Sequence, residues 1–536
     1  MPKKVFCILV ALGIVASSGF AAAVQEPATS MDKAAIPLAE NTTITYFIDM
    51  PRQEERHELH KILEERTNIN LEIVPSDPDK VPVLLASGDF PDIMYVSVGS
   101  TGGPLAFNQF GEQGVLVDFM EYMDQERMPN YKDLMERLPG LKDFIISDRN
   151  QLFGLGSVTL WKGKIDPNYA YAFYYSDLWK ENNIPVPQTF NDIFEGGKKI
   201  KARHPDKYVF GGVWGNPQDW VFNSYHVPWS PRRNHGITFD LDTNEFKFMP
   251  VTDNFRDALR WLNKAYDAGL VDPEFVTNDF TQYTKKAEND EITMDVFYFD
   301  WTWLQWPDGY IGPPPMTDTG LKARVTAFSP FGSWAHVVNA NSDHVDEAIA
   351  LLDWGLSEEA QLLFNWGVEG VTFEYGADDQ PMWRDSVKTG DNPDGTFEAA
   401  DPGFGLFAGW NIMFLRDNGH MQRFHNGKAW QDVADQVWEY GLDRDTVQIQ
   451  PPALIVPTET GELISLTMAP TNTYVEESII DFILGDMDVE RDWSSYVRRV
   501  NENRRISEMV DTMNRLYKEQ YADNGRTWGV DNYFER

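Results

Sequence analysis

The stretch TTITYFIDMPRQEERHELHKILEERTNINLEIVPSDPDKVPVLLASGDFPDIMYVSV (Thr42–Val98) decides the fold class. Thr42 to Asp49 is β-branched and aromatic and reads as a strand. Glu54 to Thr67 sets Leu59, Ile62 and Leu63 at helical spacing. Leu71 to Pro75 is a second short strand. Val81 to Ala86 is a helix, stopped by the turn-forming run from Ser87 to Asp92. Ile93 to Val98 is a third strand. Strands alternating with helices across short links predict an α/β fold on a parallel sheet.

Working upstream, Gln25 to Asn41 is small and polar, a flexible leader. The first 23 residues differ from everything that follows. Lys3 and Lys4 precede an apolar run from Val5 to Phe20, and Ala21-Ala22-Ala23 supplies small residues for cleavage. This is the pattern of a signal peptide, with a periplasmic or secreted destination. The single cysteine, Cys7, lies inside that run. The mature chain is therefore expected to have neither disulfides nor thiol chemistry. No cysteine follows the run, which argues against a lipid anchor.

Downstream, Tyr169 to Tyr175 reads as an aromatic strand, and Thr189 as the N-cap of a helix reaching Arg203. Asn254 to Ala268 is a long amphipathic helix ending at Gly269, and Ile292 to Phe299 a buried strand. Ala323 to Phe328 and Ala335 to Asn339 are strands. Asp343 to Leu356 and Glu358 to Trp366 are helices. Tyr375 to Gly409 reads as irregular and residues 470–520 as helical.

The chain has 536 residues, 42% of them hydrophobic and 13% aromatic, ample for packed cores. Its 83 acidic residues against 46 Lys and Arg give a net charge of −37. That excludes a generic nucleic-acid coat, which needs a basic face. No phosphate loop, dinucleotide glycine fingerprint or Gly-x-Ser-x-Gly elbow occurs. With so many acids, a carboxylate pair is no evidence of catalysis. Asp240, Asp242 and Asn244 open like a calcium loop, but Glu245 stands at the glycine position and Val251 at the final acid. His57 and His60 sit on one charged helix face. No metal and no cofactor are expected.

The aromatics say more. Trp161, Trp214, Trp220, Trp229, Trp301, Trp303, Trp306, Trp334, Trp383 and Trp410 fall in predicted loops or strand ends. The run from Phe299 to Trp306 (FDWTWLQW) holds more rings than one core accommodates easily. Flat rings beside Asp, Asn and Gln suit a sugar, whose C–H face packs on the ring while its hydroxyls meet the polar groups.

Leu84 to Ile93 (LLASGDFPDI) resembles the "ASGD-PD" element of bacterial extracellular solute-binding proteins, the carbohydrate-type receptors of ABC importers. Tyr175 to Trp179 with Ile184 to Phe190, Trp261 to Leu270 with Asp272, Ala348 to Gly370, and Phe482 to Gly485 with Asp492, Trp493 and Tyr496 follow in that family's order. The LipO-like and alginate-oligosaccharide-binding subgroup is the most similar. Its usual calcium loop has no counterpart in Ala202 to Tyr208, which lacks the row of acids.

The resemblance implies a two-lobed periplasmic binding protein fold (type II-like), lobes joined by crossing hinge strands, with the ligand in the cleft between them. Residues 42–165 and 323–375 would form lobe 1, and 166–322 and 376–536 lobe 2. The implied ligand-binding set is Asp49, Tyr171, Trp214, Asp300, Trp301, Trp334, Trp410, Asn411 and Arg416. Tyr46 to Asp49 and Ser97 to Thr101 would line the same cleft, and Arg384 is a second carboxylate-binding candidate. The implied partners are an oligosaccharide and the permease subunits of an ABC importer, with no nucleic acid, and the protein is expected to be a monomer. A secreted carbohydrate-active enzyme and a receptor for peptides or other small solutes stand as alternatives.

Overall fold

The computed structural model describes residues 35–48, 58–74, 80–97, 104–138, 141, 146–161, 164–165, 173–212, 218–229, 236–296, 309–326, 331–377, 379–384, 415–416, 446–449, 452, 454–526 and 528. In chain order the strands are β1 (Thr42–Ile48), β2 (Ile69–Val74), β3 (Ile93–Ser97), β4 (Leu155–Trp161), β5 (Lys164–Ile165), β6 (Phe173–Tyr175), β7 (Ile237–Asp240) and β8 (Glu245–Phe248). They continue with β9 (Met294–Asp295), β10 (Tyr310–Gly312), β11 (Val325–Thr326), β12 (Phe331–Val338), β13 (Phe373–Tyr375), β14 (Pro381–Trp383), β15 (Leu415–Arg416) and β16 (Val447–Gln448).

The largest sheet runs β15-β4-β12-β3-β1-β2, with β5 folded back on β4. β1 pairs in parallel with both β2 and β3, as the strand–helix alternation predicted. β12 lies antiparallel between β3 and β4. Both faces are covered. On one, Tyr46, Ile48, Ile93, Tyr95 and Val338 meet the helices Glu58–Thr67, Pro129–Arg137, Val345–Trp354 and Glu358–Trp366. On the other, Phe47, Met94, Val96, Ala335 and Val337 meet Val81–Ser87 and Phe107. Neighbouring residues divide between the faces because a strand repeats every two residues.

A separate cluster gathers around the small sheet β10-β6-β9. It draws on residues from Phe173 to Val296, on Ala323, and on the C-terminal segment from Ile449 to Trp528. The helix Phe190–Arg203 starts where Thr189 predicted, on a full capping box. Thr189 Oγ1 accepts the Asp192 N–H at 3.0 Å and Asp192 Oδ2 accepts the Thr189 N–H at 2.9 Å. The chain passes between the two cores more than once, leaving the first after Val158, re-entering it by Ala335 and leaving again after Phe364.

The boundaries differ from expectation in several places. β12 begins at Phe331, not Ala335, so Trp334 lies inside the strand. The C-terminal helix begins at Thr458 and continues through Pro470 to Leu484. Ile464 and Met468 before the proline, and Val475, Ile479 and Phe482 after it, are all buried in the second core, and that burial outweighs one lost helical hydrogen bond. Ile237 to Phe248 forms the β7–β8 hairpin, an element absent from the sequence-based expectation. Among the described residues, no helix is long and apolar enough to cross a membrane.

Candidate functional site

The register of the large sheet brings the carboxyl ends of its parallel strands to one edge. Ile48, near the end of β1, stands beside Tyr95, and Ser97 at the end of β3 pairs with Trp334 near the start of β12. β4 runs antiparallel to β12 and ends at the same edge, with Thr159 paired to Arg416 of β15. In open α/β sheets this edge, where the strand order reverses, is where ligands bind.

Among the described residues, Trp334 is an aromatic that this edge displays. Its ring is half-buried and stacks on Tyr95, with centroids 5.2 Å apart and planes 25° apart. Tyr95 also meets the His336 ring, with centroids 4.4 Å apart. Tyr46 Oη lies 3.0 Å from His336 Nε2, within hydrogen-bond reach. Tyr46, Tyr95 and His336 are fully buried. Burial, reinforced by Tyr95, holds the Tyr46 hydroxyl well above the usual phenol range, so it stays protonated. Tyr95 and His336 were not among the residues read from sequence. The alternation Trp334, His336, Val338 was the signal, and the late start assigned to the strand hid it.

Of the predicted ligand-binding set, Asp49, Tyr171, Trp214, Asp300, Trp301, Trp410 and Asn411 lie outside the described residues. Arg416 takes its place in β15 at the edge by its backbone. Arg384 follows the β13–β14 hairpin, and its guanidinium donates to the Gly370 carbonyl. Two tryptophans read as loop aromatics are core residues. Trp220 packs against Phe173, Phe190, Phe210 and Trp261, and Trp229 packs edge-on to Phe255. Those partners are distant in sequence, so propensity alone did not reveal them.

The acids of the suspected calcium loop are occupied otherwise. Asp240 pairs with Lys247 at 2.6 Å across the hairpin. Asp242 meets His226 at 3.0 Å and Arg324 at 2.6 Å. The His226 hydrogen bond, with help from Arg324, holds the Asp242 carboxyl well below the usual carboxylate range. Among the described residues, no group of three or more His, Cys, Asp or Glu could hold a metal ion.

Known proteins resemble this chain over most of its length. The family model "Bacterial extracellular solute-binding protein" matches residues 55–362. The fructooligosaccharide ABC transporter substrate-binding protein FusA of Streptococcus pneumoniae serotype 4 (strain ATCC BAA-334 / TIGR4) is 19% identical over 318 residues, 56% of this chain and 57% of FusA. Lipoprotein LipO of Bacillus subtilis (strain 168) is 22% identical over 345 residues, 59% of this chain and 63% of LipO. The chain thus matches less than two thirds of the length of either curated relative. Among solved structures, the alginate-binding protein AlgQ2 without calcium ion superposes with a TM-score of 0.70 at 17% identity, covering 91% of this chain and all of AlgQ2. S. pneumoniae FusA in complex with kestose gives 0.70 at 15% identity, covering 90% of this chain and all of FusA. At such identities these superpositions establish the two-lobed fold alone. The family match covers more than half of the chain, and the chain therefore belongs to the bacterial extracellular solute-binding proteins, a family of binding proteins rather than enzymes.

Proposed function

We propose that this chain is a receptor that captures an oligosaccharide in an aromatic-lined cleft between its lobes and delivers it, unchanged, to the permease subunits of an ABC importer. The observation that carries this reading is the sheet edge where β1, β3 and β4 end together and the half-buried Trp334 ring lies stacked on Tyr95. A rigid ring at a strand-end edge is a platform for the apolar face of a sugar. Asp49, Tyr171, Trp214, Asp300, Trp301, Trp410, Asn411 and Arg416 complete the proposed lining. The names of the relatives, fructooligosaccharide for FusA and alginate for AlgQ2, give the sugar classes to try first. The net charge of −37 favours a neutral or weakly acidic sugar over a polyanion.

The test is a thermal-shift screen of residues 24–536 against kestose, alginate oligosaccharides and Man5GlcNAc, with peptides as controls. A sugar at 100 times its dissociation constant stabilises the folded state by about 2.7 kcal/mol, which moves the melting temperature visibly. A shift with one sugar class, and that sugar recovered intact, is the expected result. A shift with peptides only, or sugar recovered cleaved, refutes the proposal.

A further inference from the structure

Trp334 is held from behind by a column of rings that crosses three strands. Tyr46 comes from β1, Tyr95 from β3, and His336 and Trp334 from β12. The register places Tyr95 directly opposite His336, and Ser97 opposite Trp334. Tyr95 thus contacts both rings, the indole at 5.2 Å and the imidazole at 4.4 Å. The imidazole shares a largely apolar face with Tyr46, Tyr95, Ile48, Ile93 and Val338. A Leu or Val at position 336 would fill that space without exposing buried nitrogens to an apolar face. What an imidazole adds is a directional bond: one nitrogen lies 3.0 Å from the Tyr46 hydroxyl, and a planar ring bonded at its edge cannot tilt freely. Tyr46, Tyr95 and His336 have no accessible surface, so none of them can touch a ligand. Trp334 is partly exposed, at the edge where the strands end.

We infer that Tyr46, His336 and Tyr95 are positioning residues. The Tyr46–His336 hydrogen bond fixes the imidazole plane, the imidazole fixes Tyr95, and Tyr95 sets the tilt of the Trp334 ring and through it the affinity for a stacked sugar. The ring coupling stands on the packing alone. Its effect on affinity rests on the proposed sugar-binding function.

The test separates the two. The full chain is labelled with 5-fluorotryptophan, and the Trp334 fluorine resonance is assigned by its disappearance in Trp334→Phe. In Tyr46→Phe, which removes one buried oxygen, that resonance moves while the other tryptophan resonances hold. His336→Gln gives the same displacement and serves if Tyr46→Phe does not fold. Calorimetry then uses whichever of kestose, an alginate trisaccharide and Man5GlcNAc gives the largest thermal shift. Tyr46→Phe weakens its binding about three- to tenfold, the coupling expected between residues in one contact network, and has no further effect in a Trp334→Ala background. An unmoved Trp334 resonance in both variants overturns the inference. So does a loss of affinity that is the same with and without Trp334, because that reports a general structural role. A resonance that moves in a protein stabilised by peptides alone supports the ring coupling and overturns the sugar-binding proposal instead.

Discussion

Asp92 Oδ2 accepts both the backbone N–H and the hydroxyl of Thr45, at 2.8 and 2.6 Å. Its Oδ1 accepts the Ser342 hydroxyl, and its backbone N–H donates to Thr45 Oγ1 at 2.9 Å. One carboxylate thus ties β1 to the start of β3 and to the turn after β12. It lies at the sheet edge opposite Trp334, so this Asp of the ASGDFPD run is a staple of the fold rather than a ligand group. Asn339 Nδ2 completes the turn by donating to the Phe90 carbonyl at 2.7 Å.

Asp92→Ala is expected to destabilise the fold by about 2–3 kcal/mol at pH 7, because it leaves the Thr45 N–H without its acceptor. Partial burial raises the Asp92 pKa, but the hydrogen bonds from Ser342 and Thr45 outweigh it and hold the group below its ordinary value. A carboxyl depressed in the folded state contributes stability above its unfolded pKa and loses it as the pH falls. Chemical denaturation of wild type and variant should therefore converge as the pH drops below about 4.

Asp353 behaves with the opposite sign. Its Oδ1 accepts the Tyr131 N–H at 3.0 Å and its Oδ2 the Asn130 side-chain amide at 3.1 Å, at the start of the helix Pro129–Arg137. Burial nevertheless pushes its pKa up to about 6, against these bonds. An acid whose folded pKa exceeds its unfolded one costs stability progressively as the pH rises between the two values. Asp353→Asn should gain on wild type by about 1 kcal/mol between pH 5 and pH 7, read from denaturation midpoints. A constant difference across that range would contradict this.

Gly196 and Gly197 stand side by side inside the helix Phe190–Arg203. In an exposed helix, Gly→Ala stabilises by about 1 kcal/mol. Here a Cβ on Gly197 would run into Val209 Cγ2, and one on Gly196 would come 2.6 Å from the Trp179 ring. Gly197→Ala should therefore lower stability, by about 1–3 kcal/mol, the usual cost of overpacking. A raised melting temperature would show that the helix and the segment around Val209 can move apart.

Trp301→Ala is expected to weaken oligosaccharide binding by ~1–3 kcal/mol, as for a desolvated aromatic anchor, with the melting temperature of the free protein unchanged. Isothermal calorimetry decides it. Unchanged affinity in a folded variant would remove Trp301 from the proposed cleft.

Local chemistry made much of the fold legible. The β-branched strand starting at Thr42, the N-cap at Thr189 and the helix stop within Ser87 to Asp92 each depend on neighbours within a few residues, and the structure has a strand from Thr42, a cap at Thr189 and a helix end at Ser87. The family could be read because its stations lie in a fixed order along the chain. The site was legible only in part. Trp334 could be named. Tyr46 was expected to line the cleft, but it is fully buried behind Trp334, and Tyr95 and His336 could not be named.

The sequence by itself determined the alternation of strand and helix, the family and the abundance of rings. Tertiary structure decided where the rings went. Trp220 and Trp229 became core because Phe190, Phe210, Phe255 and Trp261 close around them. Trp334 stayed at the edge because strand register sets it opposite Ser97 and stacks it on Tyr95, which also meets His336. Register is a contact between residues more than two hundred positions apart, and it is fixed by matching buried faces across a whole sheet, not by any local preference of the residues concerned.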